Sequence, residues 1–264
     1  MAEKFDTWES YFYPETYDAA FEHGTLKNLL GERDSSVLRR AEYGLVNDRF
    51  EDVLSGSAGI QRTFDAEHVT SIHGYLFQDI YEWAGQYRTV DLVKGHAFAL
   101  LEDGSVGRHL DTVRDLVAGT QWDKLKQTDF AVRTAEVFTH LNQAHPFREG
   151  NGRTAKAFMH HVADQSPFTL DFNRTTPDIW NEMSARSRLP SAAGPVDPRP
   201  MFYVFNEIAV ERKGPIPRLD KPMDRQAQQR QIREKVQKNL RERKGPDGPR
   251  PPRADPPSQR GPKL

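Results

Sequence analysis

The 264 residues are 36% hydrophobic and 28% charged, and none is cysteine. Disulfides, thiolate metal sites and cysteine nucleophiles are thereby excluded, and no apolar stretch approaches the roughly 18 residues that a membrane span needs. The formal net charge of −1 conceals a division: residues 212–264 hold 16 Lys+Arg against 6 Asp+Glu, net +10, which leaves residues 1–211 at −11.

The acidic part reads as mostly helical. Its start, MAEKFDTWES, has no basic segment followed by an apolar run, so no secretory signal is expected. A helix is predicted over Ser36 to Val53. Asp65 to Trp83 carries Val69, Ile72, Leu76, Ile80 and Trp83 at helical spacing, with Asp65 as its cap and Gly85 as its stop. Tyr81 and Trp83 are expected in the core. Tyr87 to Gly104 breaks the pattern: β-branched residues lie on both sides of a Lys-Gly turn, which predicts a β-hairpin on the helical body. Asp129 to Ala144 sets Phe130, Ala135, Phe138 and Leu141 on one face. Asn151 to Gln165 does the same with Ala155, Phe158, Met159 and Val162. Thr176-Pro177 is a cap followed by a first-turn proline, opening a helix toward Arg188. Pro200 to Glu211 closes the series with Phe202, Phe205 and Ile208. Composition then shifts: ten of the 18 prolines lie in 212–264. The chain therefore divides into a body, 1–211, and a basic Pro-rich tail, 212–264. The end of the tail has too little apolar content to bury a core and is expected to be disordered. Within it, 224–244 is a candidate helix with a thin apolar stripe of Ile232, Val236 and Leu240.

One stretch mixes chemistries that an ordinary loop does not need: HPFREGNGRTAK, His145 to Lys156. Pro146 helps end the helix before it, because the residue before a proline is pushed away from α geometry. Gly150-Asn151-Gly152 turns the chain into the next helix. Free N–H groups and the positive end of the helix dipole make such a start an anion site. Arg153 and Lys156, three apart, share a helix face above it and suit a polyphosphate. Glu149 would repel that anion unless a divalent cation lay between them, as Mg²⁺ does when it takes one or two carboxylates plus phosphate oxygens. His145 can accept a proton near neutral pH, and Phe147 is a candidate anchor for the loop. Base, metal carboxylate, anion cradle and cations together describe a nucleotidyl or phosphoryl transfer site. The adjacent His160 and His161 face different sides of a helix and read as structural. GSAGIQRT, from Gly56 to Thr63, lacks the lysine of a phosphate loop.

The stretch resembles the Fic family signature H-x-F-x-D/E-G-N-G-R-x-x-R. His145, Phe147, Glu149, Gly150, Asn151, Gly152 and Arg153 match it, and Lys156 stands where the pattern has its last arginine. YPETYDAAFEHGTLKNLLGERD and LFQDIYEWAGQYRTVDLVKG are similar to further Fic segments, so the likeness covers roughly residues 12–210. The resemblance implies an all-α Fic helical bundle with a β-hairpin flap, using ATP with Mg²⁺ to transfer AMP to a Ser, Thr or Tyr hydroxyl of a target protein. It implies that His145 is the base and Glu149 the metal ligand. The nucleotide would be held by Gly150, Asn151, Gly152, Arg153 and Lys156, with Lys94 and Gly95 at the flap turn and Asn142 ahead of the histidine. Gly152 favours AMP transfer, because relatives that act as kinases carry lysine there. Lysine at 156 keeps the charge and loses the bidentate fork, so weaker ATP binding than in an arginine relative is expected.

Many relatives inhibit themselves through a helix of pattern S/T-x-x-x-E-G/N. The one Glu-Gly step here is Glu149-Gly150, which His145 precedes, and there is no Glu-Asn step. The resemblance is thus to the class silenced by a separate small antitoxin protein. Relatives of that class modify ATPase subunits of DNA gyrase and topoisomerase IV, which are the family-level expectation for the protein substrate. A cytoplasmic site of action with no membrane partner is expected, and some relatives are delivered into another cell. The basic tail suits phosphate contacts with nucleic acid, a recognition role in delivery, or simply a solvated end. Two alternatives stay open at this point: a Fic fold that binds without turnover, and transfer of phosphate or another nucleotide moiety.

Overall fold

The computed structural model describes residues 5–94, 96–188 and 195–216. These residues form seven α-helices and two small antiparallel sheets. Helix α1 (Ser35–Ser55) begins at Asp34, whose carboxylate accepts the N–H groups of Ser36 and Val37, and ends at Gly56 in the left-handed conformation. Helix α2 (Ala66–Phe77) begins at Asp65, which accepts the His68 N–H, as the sequence predicts.

The end of α2 differs from the prediction. It stops at Phe77 rather than running to Trp83, because tertiary partners replace the next turn. Asp79 pairs with Arg49 of α1 at 2.5 Å, and the Ile80 carbonyl accepts the Leu29 N–H at 2.8 Å. Gly85, at φ 79°, then folds the chain back onto α2. A Cβ there would lie 3.2 Å from the Gly74 Cα, so this close backbone approach explains the glycine. Tyr81 and Trp83 are buried and stack at 4.2 Å between ring centroids.

The expected hairpin is present in a shorter form. Strands β1 (Val93–Lys94) and β2 (His96–Ala97) pair antiparallel, with Val93 opposite Ala97. Its flanks are not a ladder, because the buried Arg88 takes carbonyls on both sides of it: Val90 at 2.8 Å and Ala99. Helix α3 (Ser105–Ala118) has no counterpart in the prediction. Val106, Leu110, Val113 and Val117 form its buried face, which packs on α4 (Gln127–Ala144).

Helix α4 is central, lying against α3, α5 (Asn151–Ala163) and α7 (Arg199–Ile208). Phe130 and Phe138 of α4 meet Phe168, Trp180 and Phe205 edge-on or tilted, at 4.9–5.7 Å. Each such burial contributes on the order of 1.5–3 kcal/mol. Helix α6 (Pro177–Arg186) is capped by Thr176, whose hydroxyl accepts the Ile179 N–H. A second sheet that the sequence did not announce joins β3 (Phe168–Leu170) to β4 (Ala209–Glu211), Phe168 opposite Glu211. No described helix is long and apolar enough to cross a membrane. The candidate helix at 224–244 lies outside the described residues.

Candidate active site

A cavity of about 470 Å³ opens where the end of α4, the start of α5, one face of α6 and the ribbon β1–β2 converge. This is the usual size for a small-molecule site. Of the residues that the sequence singled out, His145, Glu149, Asn151, Gly152, Asn142 and Lys94 line it. Gly95 lies outside the described residues.

His145 ends α4 with φ 40° and ψ 58°, an uncommon left-handed conformation for a non-glycine residue. Its environment fixes that geometry. Its N–H bonds the Leu141 carbonyl at 3.2 Å, and its own carbonyl accepts the Arg88 Nε–H at 2.9 Å. The ring stacks on Phe98 with centroids 3.7 Å apart. Burial, reinforced by the Arg188 and Arg88 cations, lowers its pKa to about 3, against a hydrogen bond to the Asn142 backbone that raises it. The imidazole is therefore neutral at physiological pH. The ring N–H is given to Asn142, and the other nitrogen keeps its lone pair for an incoming proton.

The loop from Pro146 to Gly150 is clamped from three sides. The Asn151 side chain accepts the Phe147 N–H at 2.9 Å and donates to the Phe147 carbonyl at 2.7 Å. Phe147 is fully buried against His73, with ring centroids 3.8 Å apart. His73 accepts the Gly85 N–H on Nδ1 at 2.8 Å, so its proton sits on Nε2 and is donated to the Glu149 carbonyl at 3.0 Å. Burial lowers the His73 pKa to about 3, which keeps that tautomer. Gly150 has φ 82°, and a Cβ there would be driven into the Phe77 ring. Gly152, by contrast, has nothing within 4 Å of a notional Cβ. Glu149 is exposed, and its Oε2 accepts the Gly150 N–H at 2.9 Å.

The two motif cations part company. Arg153 pairs with Glu42 of α1 at 2.5 Å and lies 4.7 Å over the Phe77 ring; Tyr81 donates its hydroxyl to the same carboxylate. The Lys156 Nζ sits 5.0 Å from the centres of both Phe172 and Trp180, and burial lowers its pKa. Neither residue lines the cavity, and nor does Gly150. Asn142 donates to the Ser184 carbonyl at 2.9 Å, tying α4 to α6.

Several residues at the site carry no local sequence signal: Arg88, Phe98, Arg148, Trp180 and Arg188. Arg148 lines the cavity and holds its guanidinium 3.8 Å over the Trp8 ring. His160 and His161 have structural roles. His161 donates its Nε2–H to the Val53 carbonyl at 3.1 Å and accepts the His68 Nε2–H on Nδ1 at 2.9 Å, while His160 packs between Phe50 and Phe172.

Residues 63–163 match the Fic/DOC family, and that span runs from the cap of α2 through the whole loop and α5. The chain carries a Fic/DOC domain. A protein adenylyltransferase, VbhT of Bartonella schoenbuchensis, is 34% identical over 63% of this chain and 34% of its own length. A protein adenylyltransferase of Bartonella henselae is 28% identical over 77% of this chain and 38% of its own. The chain thus spans little more than a third of these relatives. The N-terminal Fic domain of a VirB-translocated effector from Bartonella quintana, solved with bound ADP, superposes with a TM-score of 0.65. It is 27% identical and covers 78% of this chain and 96% of that domain. The Fic fold therefore extends beyond the matched segment, and the cavity beside His145 lies inside it.

Proposed function

We propose that this Fic domain transfers AMP from ATP to a hydroxyl of a target protein. The observation that carries the reading is a neutral, half-buried imidazole fixed at the rim of a cavity that the start of α5 also lines, through Asn151 and Gly152. Adenylyltransferase names among the relatives and ADP in a structural neighbour support it. The hydroxyl of a Ser, Thr or Tyr gives its proton to the free nitrogen of His145 as its oxygen bonds the α-phosphorus. The bond to the bridging oxygen breaks, and pyrophosphate leaves. A placed base of this kind is worth roughly 10²–10⁴-fold.

Glu149 suits Mg²⁺: a lone exposed carboxylate at the cavity fits an ion whose other ligands are phosphate oxygens and water. Bound there, the ion would offset phosphate charge. The N–H groups at the start of α5 face the anion, and open space at Gly152 leaves room for it. Arg153 and Lys156 reach phosphates only by leaving Glu42 and the Phe172 and Trp180 rings. That cost, added to the shorter reach and single point charge of lysine, argues for modest ATP affinity. Lys94 on the ribbon, with Asn142, completes the nucleotide and target side. A separate small antitoxin chain is the proposed regulator, and a gyrase or topoisomerase IV ATPase subunit the proposed target class. The body, 1–211, is the proposed catalytic unit, with the tail 212–264 dispensable for transfer.

Incubating the protein with labelled ATP and cell lysate tests this. His145→Ala is expected to lose transfer by at least roughly 10²-fold. Mass spectrometry of the labelled band is expected to show added AMP rather than phosphate. Label that persists in His145→Ala would overturn the role of the base.

A further inference from the structure

We infer that Arg188 is a positioning residue that latches the ribbon to the catalytic imidazole. The inference rests on the reading of His145 as the base.

Arg188 lies just past the end of α6 and is 5% exposed. Its Nη2 donates to the Lys94 carbonyl of β1 at 2.8 Å. The flat guanidinium is centred 4.1 Å from the Phe98 ring centroid, and the His145 ring 3.7 Å from the same centroid. Two planar groups this near one ring centre cannot share a face without clashing, so Phe98 is sandwiched. The order is guanidinium, phenyl, imidazole. One side chain just beyond α6 thus fixes the ribbon through a backbone oxygen and, through Phe98, fixes the ring that must take the proton.

The ribbon needs such a fixing point. Its strands are two residues each, and Val93 is 73% exposed. An isolated pair of this length is not stable in water. A substrate segment aligned by β1 can present its hydroxyl to His145 only if β1 and the imidazole keep a constant separation. Misplacement by about 1 Å is enough to cost roughly 10²-fold in rate. The charge adds a second effect. The groups facing His145 are Arg188 from just beyond α6, Arg88 from the segment before β1, Lys94 from β1 and the Asn142 backbone of α4. Both arginines and Lys94 oppose protonation of the ring, whereas the backbone acceptor favours it.

The test is Arg188→Met, with Arg188→Lys beside it and thermal melting to confirm folding. In Arg188→Met, AMP transfer to protein is expected to fall roughly 10- to 100-fold, while the affinity for Mg-ATP stays within about twofold. By NMR, the His145 ring proton is expected to lose the ring-current shift imposed by Phe98. Its titration is expected to move to higher pH, because a cation that opposed protonation is gone. Arg188→Lys keeps the charge and loses the planar face. It is expected to titrate like wild type and still slow transfer. A loss confined to ATP affinity would make Arg188 a phosphate ligand and overturn the latch. So would an unchanged rate together with an unchanged His145 resonance. If wild type transfers nothing, the reading of the site fails separately, and the NMR arm still decides whether Arg188 fixes the ring.

Discussion

The loop 146–150 and the ribbon 93–97 both border the cavity, and they are held in opposite ways. The loop is over-determined. Asn151 bonds both the N–H and the carbonyl of Phe147, His73 holds the Glu149 carbonyl, and Phe77 fills the space behind Gly150. Among the described residues the ribbon has two cross-strand pairs, and backbone bonds tie it and its flank to the helices. Lys94 gives its carbonyl to Arg188, and Ala99, beyond β2, gives its N–H to the Gln143 carbonyl at 2.9 Å. On the proposed reading, a site built this way keeps the phosphate end rigid and leaves the edge that would meet a protein target adjustable. Rigid elements suit electrostatic preorganisation, while low local stability suits segments that must accommodate a partner.

The harshest way to break the comparison is Gly150→Ala. The left-handed backbone costs a Cβ-bearing residue roughly 1–2 kcal/mol, and overpacking against Phe77 adds roughly 1–3 kcal/mol. Urea unfolding is expected to show a loss in that combined range. A loss under about 1 kcal/mol would mean that Phe77 swings aside and that the loop is less fixed than described.

Asn151→Ala comes next. It strands the N–H and carbonyl of Phe147, a buried residue, at roughly 1–3 kcal/mol for the two together. Asn151→Asp keeps the acceptor and loses the donor, and is expected to fall between alanine and wild type. Equal stability of all three would show that the clamp is not what holds the loop.

Much of this was legible in the sequence, and the reason differs from part to part. The starts of α1, α2 and α6 follow from residues that act within three positions: Asp34, Asp65 and Thr176. The motif loop was legible because its chemistry is contiguous. The early end of α2 was not, since Arg49 and Leu29 supply the competing contacts from 30 and more residues away. Helix α3, which was not expected, is readable in the spacing of Val106, Leu110, Val113 and Val117. Sheet β3–β4 joins segments about 40 residues apart, and no local pattern announces it. At the site, the histidine was visible while its neighbours were not. Arg88 and Arg188 look like any surface arginine until the fold buries them. Arg153 and Lys156 were placed together by helical spacing, but each is claimed by a partner from elsewhere, Glu42 or the Phe172–Trp180 pair. Spacing fixes which face a side chain leaves from, and distant residues fix where it ends.

A milder perturbation is acid. Burial sets the His73 pKa to about 3 in the folded chain, whereas an unfolded histidine titrates near 6.5. The folded value is the lower one, so the unfolded chain binds the extra proton. Stability is full above about pH 6.5 and is lost as pH falls toward the folded pKa, at up to about 1.4 kcal/mol per pH unit per histidine. His161, lowered to about 4 by burial, acts in the same direction. Urea midpoints are expected to fall between pH 6.5 and 4.5, with a shallower slope in His73→Gln. An identical slope in that variant would show that burial is not what keeps this ring neutral in the folded chain.

The smallest expected effect has the opposite sign. Gly152 is two residues beyond Gly150, within the same glycine-rich signature, yet it sits in the first turn of α5 with open space where a Cβ would go. In the free protein nothing there requires glycine. Replacing a helical glycine by alanine lowers the entropy of the unfolded chain, so Gly152→Ala is expected to raise stability by roughly 0.4–1 kcal/mol. The melting temperature rises where Gly150→Ala lowers it. Gly152 lines the cavity, so on the proposed reading the same variant is expected to bind Mg-ATP more weakly by calorimetry. On the proposed reading this glycine costs the fold stability while making room for a phosphate, so the two measurements must move in opposite directions. If both improve, or the melting temperature falls, the two glycines share one structural duty and the division between packing and binding drawn at this helix start is wrong.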